Sequence, residues 1–380
     1  MPGNTSPYAL ETPALLLDTA RMERNIARMK TQLSRLGVAF RPHVKTNKCI
    51  EVARRLMNTP EGPITVSTLH EAEYFAANGV HDMLYAVAIA PGKLAHVAAL
   101  LARGVRITLI LDSIEAAQHL ADFARSSGQS FAAMIEIDCD GHRSGLAPGA
   151  AELLPLGRFM HAQGITLAGV MTHAGSSYHC VGTAAIQAMA EQERLAVVTA
   201  AGALRAAGLP CPAVSVGSTP TALFAQSLEG VTEVRAGVFV FFDLVMAGLG
   251  VCGTDDIALS VLTTVIGHQR EKGWTIVDAG WMAMSRDRGT AAQVLDQGYG
   301  LVCDAQGRVL DGYIVAQANQ EHGIIAHRSG DPAKALALAV GTQLRILPNH
   351  ACATGAQYPR YTVLNAAGDI TATWARSNGW

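Results

Sequence analysis

Between Phe40 and Phe239 the sequence alternates between apolar runs of strand length and longer stretches with helical spacing. A strand ending at Lys45 is followed by runs near 64–68, 82–89, 106–112, 131–139, 165–173, 213–217 and 233–239, with helical stretches between most of them. That makes eight. Eight parallel strands, each followed by a helix, over roughly 200 residues meet the requirement of a (β/α)8 barrel of the TIM type, for which about 250 residues is typical; a doubly wound open sheet is the competing architecture. Upstream, 13–17 is a short apolar run, and Met22, Ile26, Met29 and Leu33 recur at helical spacing from Thr19 to about Leu36. Beyond about residue 245 the rhythm changes. Short β-like runs at 257–268, 273–278, 308–316, 323–326, 343–346 and 361–365 are separated by turn residues such as Asp304-Ala-Gln-Gly and Ala367-Gly-Asp, with little helix. The expected organisation is a barrel over 18–245 and a C-terminal β domain over 246–380, to which 1–17 adds through the pairing of its apolar run.

A chain of 380 residues is long enough for both. Apolar residues make up 49% and charged residues only 16%, which excludes a disordered chain. A net charge of −2 offers no basic field for nucleic acid or an anionic membrane. No apolar run reaches spanning length, and the opening Met1-Pro-Gly-Asn-Thr-Ser-Pro lacks a charged segment followed by an apolar one, so a cytoplasmic location is expected. The seven cysteines are scattered and never in C-x-x-C spacing, which predicts reduced thiols with any one of them available as a ligand.

In Phe40-Arg-Pro-His-Val-Lys-Thr-Asn-Lys48, period two puts Phe40, Pro42 and Val44 on one face and Arg41, His43 and Lys45 on the other. Helices outside the strand would bury the apolar face and leave the three cations inward. Crowded cations lower the pKa of an amine and make it a nucleophile. Barrel enzymes gather their chemistry at the carboxyl ends of strands, with phosphate sites after strands 7 and 8. Lys45 ends strand 1, Asp138 runs into Arg143-Ser-Gly, strand 6 ends at Thr172-His173-Ala-Gly, strand 7 at Gly217-Ser218-Thr219, and strand 8 carries Glu233-Val-Arg235-Ala-Gly237-Val238. Backbone N–H groups of Gly217, Ser218, Thr219, Gly237 and Val238 would make a phosphate nest. Alternation places Arg41, His43, Glu136, Asp138, His173, Ser215, Glu233 and Arg235 on the inner face, and a polar interior needs partners or a ligand. A lysine and a phosphate nest in one barrel mouth meet the needs of pyridoxal phosphate, and equally of a sugar-phosphate aldolase.

Downstream, Leu347-Pro-Asn-His350-Ala-Cys352-Ala-Thr354 holds a second pair. If the segment is extended, His350 and Cys352 share a face about 7 Å apart and both reach one ion. Imidazole plus thiolate suits zinc or another borderline divalent metal, with positions left open. Gly248-Leu-Gly-Val-Cys-Gly253 matches G-x-G-x-x-G, but a strand rather than a helix follows, so it is expected to be an interdomain turn. H-E-x-x-H, a P-loop and G-x-S-x-G are absent.

These residues resemble the fold-type III pyridoxal-phosphate enzymes, in the D-serine dehydratase and D-threonine aldolase branch of the alanine racemase superfamily. The resemblance runs nearly end to end. It is carried by Thr12-Pro-Ala-Leu, Arg41-Pro-His-Val-Lys-Thr-Asn-Lys48, Glu136-Ile-Asp, Arg143-Ser-Gly, His173-Ala-Gly-Ser-Ser-Tyr178, Gly217-Ser-Thr-Pro-Thr221, Glu233-Val-Arg-Ala-Gly237, Val277-Asp-Ala-Gly-Trp281 and Pro348-Asn-His-Ala-Cys352. It implies an alanine racemase-type barrel plus β domain, with Lys45 carrying pyridoxal 5'-phosphate as an imine. It implies Arg143 near the phenolic oxygen, His173 packed on the ring, and Gly217, Ser218, Thr219, Gly237 and Val238 on the phosphate. Tyr178 or Arg235 would meet the pyridine nitrogen, and His350 and Cys352 would hold a divalent metal such as zinc or manganese. The chain departs from the branch at Asn47, where histidine is common, and at Phe239 and Phe242, which replace tyrosines.

Aldolases of the branch tend to carry His-x-Asp at the metal and dehydratases His-x-Cys, so Cys352 implies dehydration. Within the branch the chain is similar to the bacterial 3-hydroxyaspartate dehydratases. The reaction implied is a metal-assisted β-elimination from a D-3-hydroxyamino acid: D-threo-3-hydroxyaspartate to oxaloacetate and ammonia, or D-serine to pyruvate and ammonia. The alternative is D-threonine aldolase chemistry, giving glycine and an aldehyde. Alanine racemase would leave the His350/Cys352 pair without purpose, and a non-catalytic pyridoxal-phosphate carrier would lack the β domain. The resemblance also suggests a homodimer.

Overall fold

The computed structural model describes residues 10–380; the opening heptapeptide and the start of the segment 1–17 lie outside the described residues. Strand β1 (Ala14–Asp18) leads into helix α1 (Thr19–Arg35), whose Met22, Ile26, Met29 and Leu33 are all buried, as their spacing predicts. Eight parallel strands follow: β2 (Ala39–Phe40), β3 (Ile64–Val66), β4 (Asp82–Ala88), β5 (Arg106–Leu111), β6 (Ala132–Ile137), β7 (Thr166–Thr172), β8 (Ala213–Val216) and β9 (Glu233–Val234). Helices α2 (Ile50–Leu56), α3 (Leu69–Ala77), α4 (Leu94–Ala102), α5 (Ile114–Ser127), α6 (Leu153–Ala162), α7 (Thr183–Ala206) and α8 (Thr219–Phe224) alternate with them. The strand order β2-β9-β8-β7-β6-β5-β4-β3 is sequential, and a parallel bridge from His43 to Thr65 joins its two ends. Sequential order with closure makes this a barrel and excludes the open doubly wound sheet.

The first barrel strand is shorter than its alternation predicts. Pairing runs through Ala39 and Phe40, continues as bonds from Arg41 N–H to Val234 O and His43 N–H to Ala236 O, and then gives way to a turn over 44–47. Pro42 lacks the N–H that would extend the ladder on its other side; it gives only its carbonyl, to Thr65 N–H. Lys45 therefore sits in the turn, not at a strand end.

Helix starts are capped locally: Thr68 accepts from Glu71 N–H and Ser113 from Ala116 N–H. Along β6 and β7 the period of two puts Met134 below Glu136 and Met171 below His173. Leu84, Ile110, Met134 and Met171 form an apolar plug in the barrel, and the polar layer stands above it.

The second assembly contains α9 (Leu244–Gly248), β10 (Leu259–Gln269), β11 (Trp274–Val277), α10 (Trp281–Met284), β12 (Gly300–Asp304), β13 (Val309–Ala318), β14 (Gly323–His327), β15 (Gln343–Pro348), α11 (Ala351–Gly355), β16 (Arg360–Leu364) and β17 (Ile370–Ala375). Its sheet runs β11-β14-β13-β12-β15-β10-β1-β16-β17, and β11 also pairs with β10, so six strands close on themselves. β1 lies antiparallel to β10 and parallel to β16. Leu16, Leu262 and Leu364 from these three strands form a buried cluster. The Gly248–Gly253 run precedes β10, a strand, as its lack of a following helix requires. By internal contacts the chain divides into one unit of the residues up to Ala27 with Val238–Asn378, and another of Arg28–Gly237 with Gly379 and Trp380.

Candidate active site

Lys45 is exposed while its neighbours Val44, Thr46 and Asn47 are buried, so the turn projects one amine and tethers the rest. Lys48 closes that turn with φ +44 and pairs with the buried Glu71 at 3.1 Å. The cations flanking it are not loose. Arg41 is held by Glu233 at 2.9 Å and Asp82 at 2.7 Å. His43 Nε2 faces Ser67 Oγ at 3.4 Å. Burial first, then the charges of Lys45 and Arg235, push the His43 pKa well below its usual value, so it is a neutral ring beside the amine.

His173, from the end of β7, donates from Nδ1 to the carbonyl of Gly217, which fixes the ring and leaves Nε2 as an acceptor. Burial, with Lys45 and Arg143 adding to it, lowers its pKa to about 3. Tyr178 lies beside it, ring centroids 6.1 Å apart. Arg235 is buried, donates to Ser215 Oγ at 2.6 Å and to Thr172 O, and burial brings its pKa down to about 10. The Ser215 hydroxyl in turn donates to Glu233 Oε1 at 2.7 Å. Exposed Arg143 is near enough to act electrostatically on both His173 and Glu136, and Glu136 accepts from Ser144 at 3.0 Å with its pKa raised by burial. Lys45, Arg143, His173 and Arg235 thus converge.

The predicted phosphate nest is partly committed to the protein. Gly217 N–H donates to Glu193 at 3.1 Å and Ser218 N–H to Thr221 Oγ1 at 3.2 Å, so these two groups serve the fold; Ser218 is the cap of α8, which opens with Thr219. Gly217 is needed for close approach: a Cβ there would lie 1.8 Å from Arg235 O. Among the described residues, the buried N–H groups of Gly237 and of the next residue, Val238, have no acceptor, and a Cβ on Gly237 would lie 2.8 Å from His43 O. Two adjacent buried donors without an acceptor fit an anion such as a phosphate.

His350 and Cys352 do not lie in one extended segment. β15 ends at Pro348, His350 is the extended residue before α11, and Cys352 is already helical. Their side chains are still close enough to interact electrostatically. His350 Nδ1 is 2.6 Å from Asp287 Oδ2. Although burial opposes it, the charge of Cys352 and the Asp287 bond hold the His350 pKa up at about 11. Such an excess of negative charge around an imidazole, with a sulfur donor beside it, fits a cation. Among the described residues no three His, Cys, Asp or Glu side chains form a metal cage.

The sequence matches the protein family described as "Alanine racemase, N-terminal domain" over residues 17–245. The chain belongs to the alanine racemase N-terminal family. Residues 258–364 of this alanine racemase-type chain match a second family, "Putative serine dehydratase domain". It is 58% identical over 374 residues to a D-threo-3-hydroxyaspartate dehydratase of Delftia sp. (strain HT23), covering 98% of each chain. It is 30% identical over 396 residues to a D-serine dehydratase of Dictyostelium discoideum, again with 98% of each covered. The solved structure of the Delftia enzyme superposes with a TM-score of 0.95 at 57% identity, covering 99% of this chain and 100% of that one. A cysteine-to-alanine variant of a D-threo-3-hydroxyaspartate dehydratase, solved in a metal-free form, gives the same TM-score, identity and coverage. Such dehydratases are pyridoxal-phosphate-dependent lyases.

The sequence of this alanine racemase-type chain did not reveal three carboxylates. Glu193 is buried in α7, and its Oε1 accepts both Ala174 N–H at 2.9 Å and Gly217 N–H at 3.1 Å. Its signal was a glutamate on the stripe Ile186, Ala190, Ala196, Val197 and Ala200. Asp243 is buried and accepts Met246 N–H and Ala351 N–H, both at 3.0 Å, fixing the peptide between His350 and Cys352. Asp287 is the third. Both aspartates are far from His350 in sequence, and no local pattern marks them.

Proposed function

We propose that this protein is a pyridoxal-phosphate- and divalent-metal-dependent dehydratase of D-3-hydroxyamino acids, with D-threo-3-hydroxyaspartate as substrate and oxaloacetate and ammonia as products. The observation that carries this reading is the 58% identity to the Delftia dehydratase across 98% of both chains. The His350-x-Cys352 pair supports it, because loss of a poor hydroxyl leaving group needs a Lewis acid. When bound, the cofactor ring draws electrons from the substrate's Cα, and the metal stabilises negative charge on the departing β-oxygen.

The residues take the following parts in this proposal. Lys45 Nζ would hold the cofactor and would move the proton at the substrate's Cα. Neutral His173, its ring fixed by the Nδ1 bond to Gly217 O, would pack on the cofactor ring. Arg143 serves the phenolic oxygen, Tyr178 or Arg235 the pyridine nitrogen. Gly217, Ser218, Thr219, Gly237 and Val238 surround the phosphate, with the acceptor-free N–H groups of Gly237 and Val238 giving its hydrogen bonds. His350 and Cys352 hold zinc, manganese or a similar ion. We assign 18–245 as the cofactor-binding domain and 246–380, with 1–17, as the domain of the metal pair. No helix among the described residues is long and apolar enough to cross a membrane, and no disulfide joins any of the seven cysteines. A cytoplasmic homodimer is the assembly we propose.

Product analysis tests the reading. Purified protein loaded with pyridoxal phosphate is given D-threo-3-hydroxyaspartate, D-serine and D-threonine, each with and without chelator. Oxaloacetate with matching ammonia, lost in chelator, is expected. Glycine with an aldehyde would replace the dehydratase by an aldolase.

A further inference from the structure

We propose that Asp287 is a positioning residue for the metal: its carboxylate fixes the His350 ring so that Nε2, not Nδ1, is the ligating atom. The inference rests on His350 and Cys352 being the metal pair. It begins from the 2.6 Å contact between Asp287 Oδ2 and His350 Nδ1. A ring whose Nδ1–H is given to a carboxylate has one lone pair left, on Nε2, and one orientation in which to present it.

Asp287 can impose that orientation because its own loop is tied, on both sides, to the segment that carries the two ligands. Before it, Met284 O accepts from Thr354 Oγ1 at 2.6 Å, and Thr354 is in the short helix that begins after His350. After it, Thr290 Oγ1 donates to Asn349 Oδ1 at 2.5 Å, and Asn349 directly precedes His350. The Asp287 N–H donates to Ser285 Oγ at 3.1 Å, which orients the aspartate within its loop. The carboxylate and the imidazole are thus held by one frame. Asp243, buried and bonded to Ala351 N–H, fixes the backbone of that segment but does not touch the imidazole through any bond described above. Of the two aspartates, Asp287 is the one that bonds the ring and orients it.

The test is zinc binding, measured by competition with a chromophoric chelator on full-length, pyridoxal-phosphate-loaded protein stripped of metal. Asp287→Ala, Asp287→Asn and His350→Ala are compared with the native chain. Removing such a partner weakens metal binding about 10- to 100-fold. We expect D287A to fall in that range, D287N to lose less because its amide oxygen still accepts from Nδ1–H, and H350A to abolish the site. The cofactor absorbance is expected to stay at its native value, since Asp287 and Lys45 belong to different compact units; a purely structural aspartate would leave the zinc affinity unmoved. Native affinity in D287A and D287N with loss in H350A would overturn the inference and leave the metal pair standing. Native affinity in H350A would remove the metal pair and the inference together.

Discussion

At Lys45 the amine is exposed while the turn that carries it is buried, and the rings and guanidinium around it are fixed by hydrogen bonds. Lys45→Ala is expected to lose covalent cofactor attachment and at least 1,000-fold in turnover, of the order seen when a covalent nucleophile is removed. Borohydride reduction followed by mass spectrometry should place the pyridoxyl group on Lys45 in the native chain, and labelling at another lysine would refute the assignment. His173 yields a different prediction. Its pKa, about 3 when folded against about 6.5 when unfolded, means the unfolded chain takes a proton first as pH falls. Its contribution to stability is complete above pH 6.5 and lost between there and pH 3. In His173→Phe the acid-side fall in unfolding free energy, followed by denaturant titration at each pH, should be shallower; an unchanged slope would show that the ring is protonated in the fold. Lys45, His173, His350 and Cys352 could be singled out in the sequence because each carries reactive chemistry at a recognisable place; the structure puts Lys45 and His173 within electrostatic reach of each other, and His350 and Cys352 likewise. Glu193, Asp243 and Asp287 were not, because what they do is accept hydrogen bonds from residues distant in sequence.

The elements were legible wherever burial imposed a period. Helix α1 and strands β3 to β8 lie where alternation and helical spacing put them, because each buries one face or both. β17 has an intermediate-exposed alternation with no fully buried position and pairs only through β16, so it left no apolar period to find. β12 went unread although Gly300 to Cys303 are all buried, because four consecutive buried positions show no polar–apolar alternation. His350 and Cys352 were expected in a strand and stand at a helix start; their meeting survives because both geometries bring them together. The elbow from β8 into α8 supports a sharper prediction. A Cβ at Gly217 would strike backbone, Arg235 O, at 1.8 Å, whereas one at Gly37 meets nothing within 4 Å. Gly37→Ala should cost about 1 kcal/mol, from its left-handed φ of +64 alone. Gly217→Ala should cost more than about 3 kcal/mol and weaken cofactor binding with it. Denaturant unfolding and cofactor titration of both variants check this, and equal losses would contradict the close-approach account.

Across the whole molecule, Lys45, Arg143, His173, Arg235 and Gly237 belong to one compact unit, and His350, Cys352 and Asp287 to the other. Chelation should therefore abolish dehydration while leaving the cofactor's absorbance band intact, read on one sample before and after metal is restored. Loss of the band with the metal would contradict this separation. The second unit is also built from both ends of the chain: β1, with its run Leu15-Leu16-Leu17, fully pairs only when Ala14 meets Leu262 and Leu16 meets Thr362. During synthesis this strand must wait, apolar and without its partners β10 and β16, while the entire barrel is made behind it. Contacts so remote along the chain are slow to form. A chain ended after the barrel would keep Leu15-Leu16-Leu17 but lack both strands that cover it, β10 and β16.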